Sequence, residues 1–167
     1  MNGGPAVSSE LRIAPAAESD ARLVLSFIRK LAEYEKMSHH VVATEEQIRE
    51  HVFGANPVAE VLLAYWAEEP VGFALYFRDF STFLGQAGIY LEDLFVEPEY
   101  RGKGIGKALL VQLARIAVER GYGRMQWSVL DWNAPSIEFY RSLGAVALDE
   151  WTGYRLSGEA LDRLAGR

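Results

Sequence analysis

Two adjacent carboxylates, Glu92 and Asp93, interrupt an apolar run, GIYLEDLFV, shortly before a glycine-rich stretch, Arg101-Gly102-Lys103-Gly104-Ile105-Gly106-Lys107. Carboxylates so placed can hold an alkylammonium and take its proton, directly or through water. A glycine loop between a strand and a helix presents free backbone N–H groups and the positive end of the helix dipole, a site for an anion such as a pyrophosphate. Farther along, Asn133, Ser136 and Tyr140 fall at the start and in the body of a short predicted helix.

The residues alone leave these roles open. The loop is not a P-loop, since Gly102 and Gly106 bracket three residues and Ala108 follows Lys107; a dinucleotide fingerprint would need glycine in place of Lys107. ATP and nicotinamide cofactors are thereby disfavoured, and an anion site and a plain connecting turn remain as alternatives. In a regular strand Glu92 and Asp93 face opposite sides, so Asp93 reads equally as a solvated strand residue and as a site residue. Tyr140 shares a helix face with Ile137 and reads by itself as a core aromatic, while Asn133 reads as an N-cap. His39 and His40 lack a carboxylate-rich setting and His51 sits on a separate helix, so no metal site is expected. Tyr65, Trp66, Phe73, Tyr76 and Phe77 read as sheet core.

The elements that must position these residues follow from periodicity. Met1 to Glu10 lacks a pattern and reads as a flexible tail. Leu11, Ile13 and Pro15 alternate as a strand; Ser19 or Asp20 then caps a helix with Leu23, Phe27, Ile28 and Leu31 on one face. Thr44 with Gln47 makes a capping box for a second helix through Phe53. A strand from Val58, a turn at Glu69-Pro70 and a partner VGFALYFRDF form an antiparallel hairpin. GIYLEDLFV, the glycine loop and a helix carrying Leu109, Leu110, Leu113, Ile116 and Ala117, ended by Gly121, make strand, loop, helix. A strand MQWSVL, a helix from Ala134 to Leu143 and a strand WTGYRL complete one mixed, mostly antiparallel α/β domain flanked by helices, over residues 11–167.

Half of the 167 residues are apolar and 12% aromatic, enough for one core. No stretch is long enough to span a bilayer and the N-terminus does not resemble a signal peptide, so a soluble, cytoplasmic protein without a membrane partner is expected. The absence of cysteine removes disulfides, thiolate metal sites and cysteine nucleophiles. A net charge of −6 argues against nucleic acid as a partner; it suits cationic small molecules, and equally simple solubility.

The segment YLEDLFVEPEYRGKGIGKALL resembles the acetyl-CoA-binding core of the GNAT superfamily, whose loop pattern is Arg/Gln-x-x-Gly-x-Gly/Ala; Arg101, Gly104 and Ile105-Gly106 match it in order. VLDWNAPSIEFYRSLGA resembles the second block of that superfamily through Asn133, Ser136 and Tyr140. Within it, IRKLAEYEKM, YLEDLFV and VLDWN are similar to the diamine acetyltransferases, which include the spermidine/spermine and thialysine enzymes. The resemblance covers nearly everything after Leu11. It implies an N-acetyltransferase in which a primary amine attacks acetyl-CoA directly in a ternary complex, with no metal. It also implies cofactor contacts from Leu94, Phe95 and Val96 on the strand, from Arg101, Gly102, Lys103, Gly104, Ile105, Gly106 and Lys107 in the loop, and from Asn133, Ser136 and Tyr140. Tyr140 would be the acid for the leaving thiolate and Glu92 the base, with a β-bulge turning Glu92 and Asp93 toward one pocket. Tyr34, Glu35, Asp93 and Phe83 would join Glu92 on the acceptor side, in a homodimer.

Where the spermidine/spermine branch carries Asp-Pro-Trp, this chain has Ser81, Thr82 and Phe83. One carboxylate for a long polycation is therefore missing, and a lysine-like or short diamine acceptor ranks above spermine. The alternatives are an acetyltransferase of a protein or peptide amine and a non-catalytic acyl-CoA-binding module.

Overall fold

The computed structural model describes residues 10–167, which divide into two compact units, one ending at Ser128 and one running from Val129 to Arg167. All of the expected tail but Glu10 lies outside the described residues.

In the first unit β1 (Leu11–Pro15), β2 (Glu60–Trp66), β3 (Glu69–Ser81), β4 (Gln86–Val96) and β5 (Met125–Trp127) lie side by side in chain order. All neighbours are antiparallel except β4 and β5, which are parallel. The mixed, mostly antiparallel α/β sheet is the one expected. The first hairpin turns at Ala67 and Glu68, both at positive φ, rather than at Glu69-Pro70, which already belong to β3. Left-handed residues at both central positions match the right-handed strand twist, and that requirement outweighed the proline signal.

Val61, Leu62, Leu63 and Ala64 are buried in succession, so both faces of β2 are covered. One cover is α1 (Ala21–Tyr34), whose Val24, Phe27 and Leu31 pack with Val61, Leu63, Phe73 and Phe95. Asp20 ends its turn by accepting from Ala17 N–H at 2.8 Å. Next comes α2 (Glu45–Ile48), opened by the Thr44–Gln47 capping box, with Gln47 N–H to Thr44 Oγ1 at 3.2 Å and Thr44 N–H to Gln47 Oε1 at 3.0 Å. The helix expected through Phe53 continues there as a π-turn over Arg49–Phe53. The second cover is α3 (Ile105–Glu119), which buries Leu109, Leu110, Leu113 and Ala117 and gives way to Gly121 at φ 67°.

The second unit holds α4 (Ala134–Ser142) and α5 (Gly158–Leu164). Contrary to the pattern of its residues, WTGYRL forms no strand, and the strand expected over MQWSVL is only Met125–Trp127, in the first unit. Alternation of apolar residues prepares a strand, but only a hydrogen-bonded neighbour makes one. No helix among the described residues is long and apolar enough to cross a membrane.

Phe27 is 1% exposed, stacked on Phe73 at 5.5 Å between centroids and tilted against Phe95 at 6.0 Å. Phe27→Ala should therefore cost about 3–5 kcal/mol by transfer and cavity effects. Urea unfolding checks this, and a loss under 1 kcal/mol would show that α1 is not fixed by this cluster.

Candidate functional site

The geometry of β4 is set by one extra residue. Asp93 pairs with Leu75 and Leu91 with Tyr76, so Glu92 forms a β-bulge. A bulge reverses the parity of everything beyond it. Below it, Ile89 N–H points away from β3 and donates to Arg124 O at 3.0 Å. Above it, Glu97 N–H donates toward β3, to Val71 O at 2.8 Å. Ladder alternation then turns the backbone polar groups of Asp93 and Phe95 to β3 and those of Leu94 and Val96 to the opposite edge. β5 lines that edge only as far as the Leu91–Trp127 pair. Past this point the edge carries peptide groups without a strand neighbour among the described residues.

The side chains follow the same reversal. Tyr90 stacks on Phe77 at 5.1 Å, on the sheet face that also carries Leu75 and Phe73. Glu92 shares the parity of Tyr90 below the bulge, and Asp93 that of Phe95 above it. Both carboxylates therefore lie on the α1 face. Between Leu94 and Val96, Phe95 has its ring in the core against Phe27 and its backbone turned to β3.

Glu35, at the C-cap of α1, completes an acidic group with Glu92 and Asp93. Asp93 is pushed from its ordinary 3.8 up to about 7, by burial first and then by the charges of Glu92 and Glu35. Glu35 is also raised, by burial. Glu92 is exposed. A cation entering here would meet three carboxylates, one of them kept partly protonated near pH 7 by burial and by its two acidic neighbours. Among the described residues no group of His, Asp or Glu is gathered in a metal-binding arrangement.

Glycine is required in the loop by backbone geometry. Gly102 has φ 78° and Gly104, the N-cap of α3, has φ 81°; a Cβ at either would meet no atom within 4 Å, so the constraint is conformational. The first intrahelical donor is Ala108 N–H, to Gly104 O at 2.9 Å, which leaves the N–H groups of Ile105, Gly106 and Lys107 at the positive end of the helix. Arg101 is anchored away from the loop. Its N–H donates to Pro98 O at 3.2 Å and its Nε to Val96 O at 2.9 Å, so neither is directed into the loop. Lys103 Nζ lies 4.7 Å from the Trp66 ring centroid.

Phe83, 92% exposed, stands at the tip of the β3–β4 hairpin. That is six residue pairs from Leu75–Asp93, roughly 20 Å at strand rise, so it is not brought to the carboxylates within this chain. In the second unit Asn133 is a buried N-cap that accepts from Ser136 N–H at 3.4 Å, and Tyr140 lies on α4 with its ring 5.4 Å from Phe139. A groove of about 760 Å³ along α1, lined by Arg22, Ser26, Arg29, Glu33 and Thr44 among others, contains none of the expected site residues.

The Arg101 anchor and the ion pair that places β5 were not expected from the sequence. Arg124 donates to Asp79 at 2.8 Å over Gly88, where a Cβ would fall 2.5 Å from Asp79 Oδ1. Gly88 was the available signal, since glycine inside a strand marks a close approach.

A carboxyl whose pKa is raised on folding binds more protons folded than unfolded between about pH 4 and pH 7, so its effect is to lower stability as pH rises through that window. Asp93→Asn removes the effect. The variant should be more stable than the parent at pH 8, by up to about 4 kcal/mol, and equal to it near pH 4. Urea midpoints at the two pH values check this; a variant less stable at pH 8 would refute a desolvated Asp93.

Residues 26–145 match the acetyltransferase (GNAT) family. The chain is 41% identical over 167 residues to a thialysine N-epsilon-acetyltransferase of Mus musculus, covering 93% of this chain and 98% of that protein. It is 30% identical to an L-ornithine N5-acetyltransferase of Arabidopsis thaliana, covering 92% and 87%. An integron cassette protein from the mobile metagenome of V. cholerae superposes with a TM-score of 0.81 at 27% identity, over 96% of this chain and all 100% of that one. The bulged strand and the glycine loop thus sit in a chain that belongs to the GNAT family and is an N-acetyltransferase.

Proposed function

We propose that the enzyme moves the acetyl group of acetyl-CoA to a small primary amine with a lysine-like or short diamine chain, by direct attack within a ternary complex. The observation that carries this reading is the bulge at Glu92, which turns two carboxylates to one face and the peptide groups of Leu94 and Val96 to an edge that β5 does not line. The relatives are named for thialysine and L-ornithine, amino acids with a side-chain amine, and this supports an acceptor of that size.

Acetyl-CoA supplies the acetyl thioester. The backbone of Leu94 and Val96 would pair with its pantetheine arm as an added strand. The N–H groups of Gly102 to Lys107 would hold its pyrophosphate, and Asn133, Ser136 and Tyr140 would contact it from α4. An alkylammonium of pKa about 10.4 must lose its proton at a cost of about 4–5 kcal/mol near pH 7. Asp93, Glu35 and Tyr34 would hold the ammonium while exposed Glu92 takes the proton, directly or through water. Tyr140 would give its proton to the departing thiolate, a transfer uphill by about 2 kcal/mol for ordinary phenol and thiol pKa values. The expected domain, residues 11–167, spans both units. A homodimer is part of the reading, on the strength of the resemblance to the diamine acetyltransferases alone. A monomeric mass in solution at micromolar concentration would refute it.

CoA release with a panel of amines tests the acceptor: thialysine, ornithine and short diamines should be turned over with higher kcat/KM than spermine. Acetyl-CoA binding without turnover of any amine would make the chain a binding module. Tyr140→Phe should keep acetyl-CoA affinity and lower kcat by about 10²–10⁴-fold. A core tyrosine would instead lose only about 0.5–1.5 kcal/mol of stability. An unchanged kcat where chemistry limits turnover would end the acid assignment.

A further inference from the structure

Arg101 is the last residue before the glycine loop, yet its side chain leaves the loop and reaches two other elements. Nε donates to Val96 O on the free edge of β4, at 2.9 Å. The guanidinium carbon lies 4.7 Å from the ring centroid of Tyr34, in the last turn of α1, and 5.6 Å from that of Phe95. A planar guanidinium can stack and donate from its edge at once, which an ammonium cannot do. Cation–π contact and a charge-assisted bond together fix one position for it.

We propose that Arg101 is a positioning residue that couples occupancy of the glycine loop to the acceptor-side end of α1. Its backbone is contiguous with Gly102, so a ligand seated on the loop bears directly on the base of this side chain. Its face bears on Tyr34, and the next residue, Glu35, stands close enough to Asp93 to raise its pKa. Lys30, on the same helix, is ion-paired with Glu97 at the end of β4, a second tie between α1 and that strand end. Loop, strand end and carboxylates are thus linked through one guanidinium. If CoA on the loop holds the end of α1 in the arrangement that an amine requires, the two ligands strengthen each other's binding, and by linkage each does so by the same factor. The inference rests on the acetyltransferase reading for the identity of the two ligands.

Calorimetry with CoA and thialysine as an unreactive pair measures the coupling, as the ratio of thialysine Kd without and with saturating CoA. The parent enzyme should show at least about 5-fold coupling. Arg101→Gln should bring the ratio close to one, and so should Tyr34→Ala, while the double variant should lose no more than either alone. Tyr34→Phe, which keeps the ring face, should retain the coupling. Circular dichroism on each variant confirms the fold, and Arg101→Lys provides a second test, expected to lose coupling although the charge remains. Independent binding in the parent, coupling that survives in Arg101→Gln, or additive losses in the double variant would each overturn the proposal. A parent enzyme that binds no CoA would instead defeat the acetyltransferase reading beneath it.

Discussion

The single residue inserted at Glu92 governs the working end of this molecule. A strand of constant parity would send Asp93 to the α3 face with Leu91, and would turn Leu94 and Val96 backbone groups toward β3. The bulge reverses both assignments at the same place. It sits one step beyond the last β4–β5 pair, Leu91–Trp127, so the reversed edge begins where the neighbouring strand stops. One backbone irregularity therefore creates an acidic face and an open edge side by side.

The surrounding structure opposes any relaxation of that irregularity. Phe27, Phe73 and Phe95 clamp β4 above the bulge from the α1 side, and the Asp79–Arg124 pair over Gly88 fixes β5 below it. Gly72 permits the approach of β3 at the upper end, where a Cβ would fall 2.6 Å from Phe95 O. Sliding the register back would bury Glu92 or expel Phe95 from the core, and each carries a cost of several kcal/mol.

Charge is divided along the same line. Carboxylates of Glu35, Glu92 and Asp93 gather at the end of α1, where burial and mutual repulsion raise the pKa of Asp93 to about 7. Lys103, Lys107 and the positive end of α3 gather around the glycine loop. Arg101 lies between the two, bound to the carbonyl of Val96 and stacked on Tyr34. An acidic chain thus keeps a local basic pole beside an acidic one.

Much of this was determined by the sequence. The glycines at 102 and 104, the apolar face of α3, the capping box at Thr44 and the alternation in β2 to β4 are local signals, each read within one or two turns of chain. The order of motifs identified the family. What the tertiary structure decided is long-range: that Glu92 is the bulged residue, that Phe95 belongs to the core, that Phe83 stands at the far hairpin tip, and that WTGYRL finds no strand partner. Those outcomes depend on which residues pair across the sheet. A one-residue change of register moves a side chain to the opposite face, and local periodicity is the same in either register. Arg101 was legible as a loop residue because its neighbours are glycines; where its guanidinium points was settled by Tyr34 and Val96, elements that only folding brings together.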